Sequence, residues 1–208
     1  MQTILTFGDS NTHGTEPIRE RGQGGRFGAD TRWPCVMAER LGCRLIEEGL
    51  PGRTACPGPD PEMGAHMDGH LGLRIALASH GPIDRLTIML GTNDSKAHFG
   101  RRPEDIAAGL AGLLAIANDP LVQGQHGGFK VLVIAPPPVV ETGELRQVFL
   151  GGAERAAGLA PPYEALARAW GADFLDAGAH IPVSDVDGVH FEADAHRELG
   201  RAVAEALA

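Results

Sequence analysis

The feature that most constrains this chain is a rhythm. Short apolar runs, most of them cut off by glycine or proline, alternate with stretches of helical spacing. Thr3-Ile4-Leu5-Thr6-Phe7 stops at Gly8, and Arg44-Leu45-Ile46-Glu47 gives way to Gly49. Leu86-Thr87-Ile88-Met89-Leu90 stops at Gly91, and Val131-Leu132-Val133-Ile134-Ala135 runs into Pro136-Pro137-Pro138. Ala172-Asp173-Phe174-Leu175-Asp176 reads as a fifth run. Compact apolar runs of this length, bounded by turn residues, fit strands covered on both faces.

Helical spacing fills the gaps. Pro34 to Leu41 reads as one helix, with the proline in its first turn. Over Pro103 to Ala117, the residues Ile106, Leu110, Leu113, Leu114 and Ala117 repeat on one face, and Glu104-Asp105 put negative charge at the start. Glu154 to Trp170 is helical but interrupted near Gly158 and Pro161-Pro162, and Ala193 to Leu207 carries Leu199, Val203 and Leu207 on one stripe. Residues 13–32, 51–72 and 136–152 read as loops. Strand and helix in alternation imply a parallel sheet with helices on both faces. The expected fold class is therefore α/β: a three-layer, flavodoxin-like, doubly wound domain with a five-stranded parallel sheet, spanning residues 1–208 as a single unit.

Composition narrows the function. The chain carries 18 basic and 27 acidic residues, a net charge of −9. Counterion release on nucleic acid or an anionic membrane needs clustered lysine and arginine, so neither is the expected partner. At 43% hydrophobic and 22% charged residues the chain is not of the disordered class. No apolar stretch approaches the roughly 18 residues of a membrane span, and Met1 to Phe7 meets Gly8-Asp9 too early for a secretory leader, so a cytoplasmic location is expected. Cys35, Cys43 and Cys56 are odd in number, lack CxxC spacing, and read as free thiols.

In a doubly wound sheet the working loops follow the carboxyl ends of the strands. There the sequence places Gly8-Asp9-Ser10, Gly49 through Gly52 to Thr54, Gly91-Thr92-Asn93-Asp94, and, ahead of the last helix, Asp187-Gly188-Val189-His190. Those segments supply a hydroxyl, glycine-flanked backbone, a carboxamide and a carboxylate–imidazole pair. Serine needs a base to become a nucleophile, and histidine is the usual base near neutral pH. The histidine in turn needs a carboxylate to fix its tautomer. Asp187 and His190, three residues apart, supply both within one turn. The backbone N–H groups of Ser10 and Gly52 and the Asn93 side chain offer three donors for an oxyanion. Each piece alone has a commoner meaning: Gly-Asp-Ser as a turn with a helix cap, Asn-Asp as an Asx turn, DxxH as a surface pair. Their order at successive strand ends favours the chemistry.

These blocks give the sequence a resemblance, over essentially its whole length, to the SGNH hydrolases, also called GDSL esterases. Glu47 to Leu50 with Arg53-Thr54, Met89 to Asp94, Lys96, Phe99, Ala135 to Pro138 and Gly188 to Phe191 are similar to the bacterial arylesterase and acyltransferase branch. The resemblance implies Ser10 as nucleophile, His190 as base, Asp187 as its orienting carboxylate, and Ser10, Gly52 and Asn93 as the oxyanion hole. It places Lys96 and Phe149 beside the substrate pocket, with Asp9, Asn11 and Val189 as further candidate contacts. The implied activity is hydrolysis of small aryl or short-chain acyl esters through an acyl-enzyme, with alcohol or peroxide as alternative acceptors. No cofactor or metal is implied, and the branch suggests a homo-oligomer. The sequence departs from the pattern at Asn11, where the family name has leucine, and at His13 and Thr15, where that branch carries tryptophans.

Other signals have plainer readings. His66 and His70 bracket Asp68, but Gly64, Gly69 and Gly72 argue against a rigid helix there, and a third metal ligand is lacking. Gly22 to Gly28 has a phosphate loop's composition without its spacing. Arg101-Arg102 reads as a solvated helix entry. The rival from another class is a non-catalytic doubly wound module holding flavin or nucleotide, betrayed by absorbance near 450 nm. A third is a degenerate esterase kept as an interaction protein, which a serine-directed fluorophosphonate would not label.

Overall fold

A computed structural model describes residues 1–20 and 22–208; Arg21, within the expected loop 13–32, lies outside the described residues. The strands are β1 (Thr3–Gly8), β2 (Arg44–Gly49), β3 (Arg85–Met89), β4 (Lys130–Ala135) and β5 (Asp173–Asp176). All neighbours pair in parallel, in the order β2-β1-β3-β4-β5. Helices α1 (Ser10–His13), α2 (Trp33–Leu41), α3 (Gly69–Ser79), α4 (Pro103–Ala117), α5 (Pro120–His126), α6 (Gly152–Ala157), α7 (Ala160–Trp170) and α8 (Ala193–Leu207) complete the chain. This is the five-stranded α/β/α arrangement that the alternation of runs implies.

Successive strand residues point to opposite faces, and the core divides accordingly. Leu5, Phe7, Leu86, Ile88, Val131 and Val133 pack with Leu73 and Leu77 of α3, Ile106, Leu110 and Leu113 of α4, and Tyr163 of α7. Ile4, Met89, Leu132 and Ile134 face the other way, against Trp33 and Met37 of α2 and Leu199, Val203 and Leu207 of α8. The expected helices thus form because each has an apolar stripe to bury, and their ends are marked. Pro103 opens α4, where the Asp105 carboxylate accepts from the Arg102 N–H. The interrupted helix divides around Gly158 into α6 and α7.

Two helices correct the reading of the sequence. The expected loop 51–72 ends in the first turns of α3. Asp68 caps that helix by accepting from the His70 and Leu71 N–H groups, and Leu73, Ala76 and Leu77 bury one side of it. Cap and burial together outweigh the glycines that argued against a helix there. Helix α5 has Asp119 as N-cap, Pro120 in its first turn and Gly127 in left-handed geometry at its end. Its seven residues carry too short an apolar pattern to stand out. Among the described residues no single helix is long and apolar enough to cross a membrane; α4 and α5 pass that test only as a pair bent by 54°.

The register aligns the working ends of the strands. Gly8 pairs with Gly49 on one side and Met89 on the other, so the chain leaves β1, β2 and β3 at one edge. A Cβ on Gly49 would stand 2.3 Å from the backbone nitrogen of His13. Only glycine there lets α1 sit directly on the end of β2.

Candidate active site

Helix α1 begins the moment β1 ends. Asp9 caps it by accepting from the Asn11 N–H at 2.9 Å, which places Ser10 first in the helix with its hydroxyl toward the segment ahead of α8. That segment is folded around its own carboxylate. Asp187 Oδ1 accepts from the backbone N–H groups of Val189 and His190, each at 3.0 Å. Ser184 N–H donates to the His190 carbonyl at 2.7 Å, and Gly188 N–H to the Ser184 carbonyl at 2.8 Å. The Asn11 amide ties the two segments together by donating to the Val189 carbonyl at 3.1 Å.

Ser10, His190 and Asp187, 180 residues apart at the extremes, form one hydrogen-bonded line. His190 Nδ1 lies 2.6 Å from Asp187 Oδ2, and His190 Nε2 lies 3.1 Å from Ser10 Oγ. With Nδ1–H donating to the carboxylate, Nε2 keeps a lone pair facing the hydroxyl. The same Asp187 Oδ2 accepts a further bond, at 2.7 Å, from the backbone N–H of Ile18. Burial alone would raise the Asp187 carboxyl, but its bond and charge interaction with His190 and the N–H groups of Ile18 and His190 outweigh that and hold it at about 2. The carboxylate is therefore ionised throughout the neutral range.

Beside the serine stand the donors. Asn93, at the start of a short 3₁₀ turn after β3, donates through Nδ2 to the Arg53 carbonyl at 3.1 Å and to Asp9 Oδ2 at 3.3 Å. Both acceptors face the amide nitrogen, which fixes the orientation of the side chain. Among the described residues neither the Ser10 nor the Gly52 N–H has a protein acceptor. Gly52 has φ +96°, where a side chain would be strained. Burial lifts the Asp9 carboxyl to about 6, against the lowering pull of the Asn11 N–H and the charges of His190 and Arg53.

Several further side chains surround these groups. The Arg53 guanidinium carbon lies over the Phe7 ring, 4.1 Å from its centroid, and the group donates to the Gly8 carbonyl at 3.0 Å and to the Glu48 carbonyl. It thereby ties the ends of β1 and β2 to the Gly52 turn, and burial lowers it to about 10. The buried Asp94 carboxylate accepts from Ala55 N–H at 2.7 Å and Cys56 N–H at 2.9 Å and pairs with Arg101 at 2.8 Å. Arg101 thus turns inward onto Asp94 and Phe99 instead of extending into solvent as expected, while Arg102 remains exposed. Lys96 is buried and pairs with Asp60 at 3.3 Å. Phe149 and Val189 pack together in a small apolar cluster with Val139 and Ala156. His70 Nε2 lies 2.9 Å from the Gly109 carbonyl, and among the described residues no group of three His, Cys, Asp or Glu side chains is arranged to hold a metal ion.

Directly behind the site sits an unusual histidine. His196, on α8, is fully buried between Phe27 and Phe191, with ring centroids 5.3 and 5.4 Å away. Neither ring nitrogen has a hydrogen-bond partner among the described residues. Desolvation, with repulsion from His190 and Arg32, lowers it from 6.5 to about 3. As pH falls below 6.5 the unfolded chain takes up this proton first, so stability held above that pH is lost between 6.5 and about 3. The slope is about 1.4 kcal/mol per pH unit. Replacing His196 by Phe is expected to flatten the acid limb over that window in urea titrations at graded pH; an unchanged limb would show that this ring is not what titrates.

The sequence model of the GDSL-like lipase/acylhydrolase family matches residues 6–198. Among solved structures, the native aryl esterase of M. smegmatis is 39% identical, with 100% of this chain and 98% of that one covered and a TM-score of 0.93. Est24, a carbohydrate acetylesterase from Sinorhizobium meliloti, is 38% identical over 100% and 98% of the two chains, also with a TM-score of 0.93. A carbohydrate acetylesterase family member from the same organism is 30% identical over 100% and 97%, with a TM-score of 0.87. No curated protein sequence matches. By its sequence over residues 6–198, and by its fold, the chain belongs to the GDSL-like lipase/acylhydrolase family of ester hydrolases, also known as SGNH hydrolases.

Proposed function

We propose that the protein is a serine esterase that cleaves small carboxylic esters through an acyl-enzyme on Ser10. The observation that carries the reading is the unbroken line from Ser10 Oγ through His190 to Asp187, at 3.1 and 2.6 Å. His190 Nε2 takes the hydroxyl proton as Ser10 Oγ attacks the ester carbon. The resulting oxyanion meets the free N–H groups of Ser10 and Gly52 and the Asn93 hydrogen that rests toward Asp9. His190 then returns its proton to the alcohol oxygen, the C–O bond breaks, and the acyl group stays on Ser10. Water, activated by the same nitrogen, releases the acid. An alcohol in place of water gives acyl transfer. The aryl esterase and carbohydrate acetylesterase neighbours favour aryl esters and acetyl groups on carbohydrate hydroxyls as the substrates to try.

The test is hydrolysis of p-nitrophenyl acetate and butyrate together with labelling by a fluorophosphonate. Hydrolysis with the label on Ser10 is expected. A folded protein that neither hydrolyses nor labels would overturn the reading. Replacing Asn93 by Ala removes one oxyanion donor and is expected to lower kcat about 10²–10³-fold, measured on the same esters; a loss below about threefold would take Asn93 out of the oxyanion hole.

A further inference from the structure

Close to Gly52 a short loop is clamped from inside the protein. Asp60 and Gly64 exchange backbone hydrogen bonds of 3.1 and 2.8 Å, and Asp60 Oδ1 accepts from the N–H groups of Glu62 and Met63 at 2.8 and 3.0 Å. The other carboxylate oxygen faces Lys96 Nζ at 3.3 Å, with the Asp60 side chain wholly buried and that of Lys96 9% exposed. Removing both charges from water costs about as much as the attraction returns, so such a pair contributes little net stability over an apolar one. What it does here is fix the position of Met63.

Met63 is 42% exposed, yet its side chain has defined neighbours. Its sulfur sits 3.7 Å from Lys96 Nζ. A Cβ built on Gly52 would fall 2.6 Å from the Met63 methyl and 2.7 Å from its sulfur. The thioether therefore lies against the backbone that carries one free oxyanion donor, with one side to solvent and no core to fill.

We propose that Met63 is a specificity-determining residue that limits the acyl half of the ester, and that Asp60 and Lys96 are the positioning residues that hold it there. This rests on the serine-esterase reading. The alcohol oxygen must lie near His190 Nε2 to receive its proton, and the carbonyl oxygen lies toward the Gly52 N–H. With the alcohol oxygen drawn toward His190, the acyl carbons are the half of the ester left to meet the thioether beside Gly52.

Two ester series test this. One varies the acyl group on a constant alcohol (p-nitrophenyl acetate, butyrate, hexanoate), and the other varies the alcohol on constant acetate (ethyl, butyl, phenyl). Met63→Ala is expected to raise the hexanoate-to-acetate ratio of kcat/KM about tenfold or more, the scale of one or two methylenes in an apolar pocket. The alcohol series keeps its order, and Met63→Leu restores the wild-type acyl ratio. Asp60→Asn, which loosens the clamp, is expected to shift the acyl ratio the same way. An unchanged acyl ratio in Met63→Ala, or a change confined to the alcohol series, overturns the assignment of Met63. An unchanged ratio in Asp60→Asn overturns the clamp. Failure of the underlying reading looks different: the wild-type protein itself would hydrolyse neither series and would not label at Ser10.

Discussion

Ser10→Ala is expected to lower kcat on p-nitrophenyl esters about 10⁶-fold, the loss seen when a hydrolase nucleophile acting as part of a unit is removed. Two properties of the site make the effect this large. The hydroxyl is held at 3.1 Å from His190 Nε2, so its replacement removes covalent catalysis and leaves the base with nothing to deprotonate except water. The positioning around it survives. Asp9 caps α1 through its carboxylate and the Asn11 N–H, and Asn11 bonds Val189 through its own amide; none of these contacts uses the Ser10 side chain. The variant should therefore fold and bind ester, keeping the residual rate of its oxyanion donors. Steady-state kinetics with denaturant melts check both halves. A variant within about tenfold of wild type would mean that another group attacks the ester.

Asp187→Asn is expected to lower kcat about 10⁴-fold, for a reason the hydrogen bonds make explicit. One carboxylate oxygen accepts from the Val189 and His190 backbone N–H groups, and the other from Ile18 N–H and His190 Nδ1–H. Asparagine has a single oxygen. If it serves Val189 and His190, its NH₂ group is driven against the Ile18 N–H, donor against donor. That NH₂ also donates to Nδ1 and forces the proton of the ring to Nε2. His190 then presents a hydrogen to Ser10 where it needs a lone pair. The loss should fall in kcat far more than in KM and ease at alkaline pH, where hydroxide does the work of the base. A variant with wild-type kcat would show that Asp187 neither sets the tautomer nor stabilises the imidazolium.

The strands buried on both faces were the legible part of the sequence. β1, β3 and β4 read directly, because a strand between two helical layers has to be apolar along its length, and Leu5, Ile88 and Val133 fill that role. The four blocks at the strand ends were legible for a related reason: ester chemistry would restrict residue type at Ser10, Asn93, Asp187 and His190. What stayed hidden depends on backbone or on distance. The Ile18 N–H that completes the Asp187 shell carries no residue signature, since every residue but proline offers the same group. Asp94 stood within a legible block, but its structural role stayed hidden and Arg101 read as a solvated entry, because Asp94 is bound by the Ala55 and Cys56 amides, 39 and 38 residues away in sequence. α3 and α5 were missed where a cap and a few buried side chains decide the outcome over short lengths.

The Ile18–Asp187 bond spans 169 residues and the Ser10–His190 contact 180. Contacts so far apart along a chain form late, after the segments between them have been ordered. Ser10 is synthesised before β2, while Asp187 and His190 follow only after all five strands. On the serine-esterase reading, Ser10 therefore stays unactivated until the segment that carries Asp187 and His190 docks onto the finished sheet.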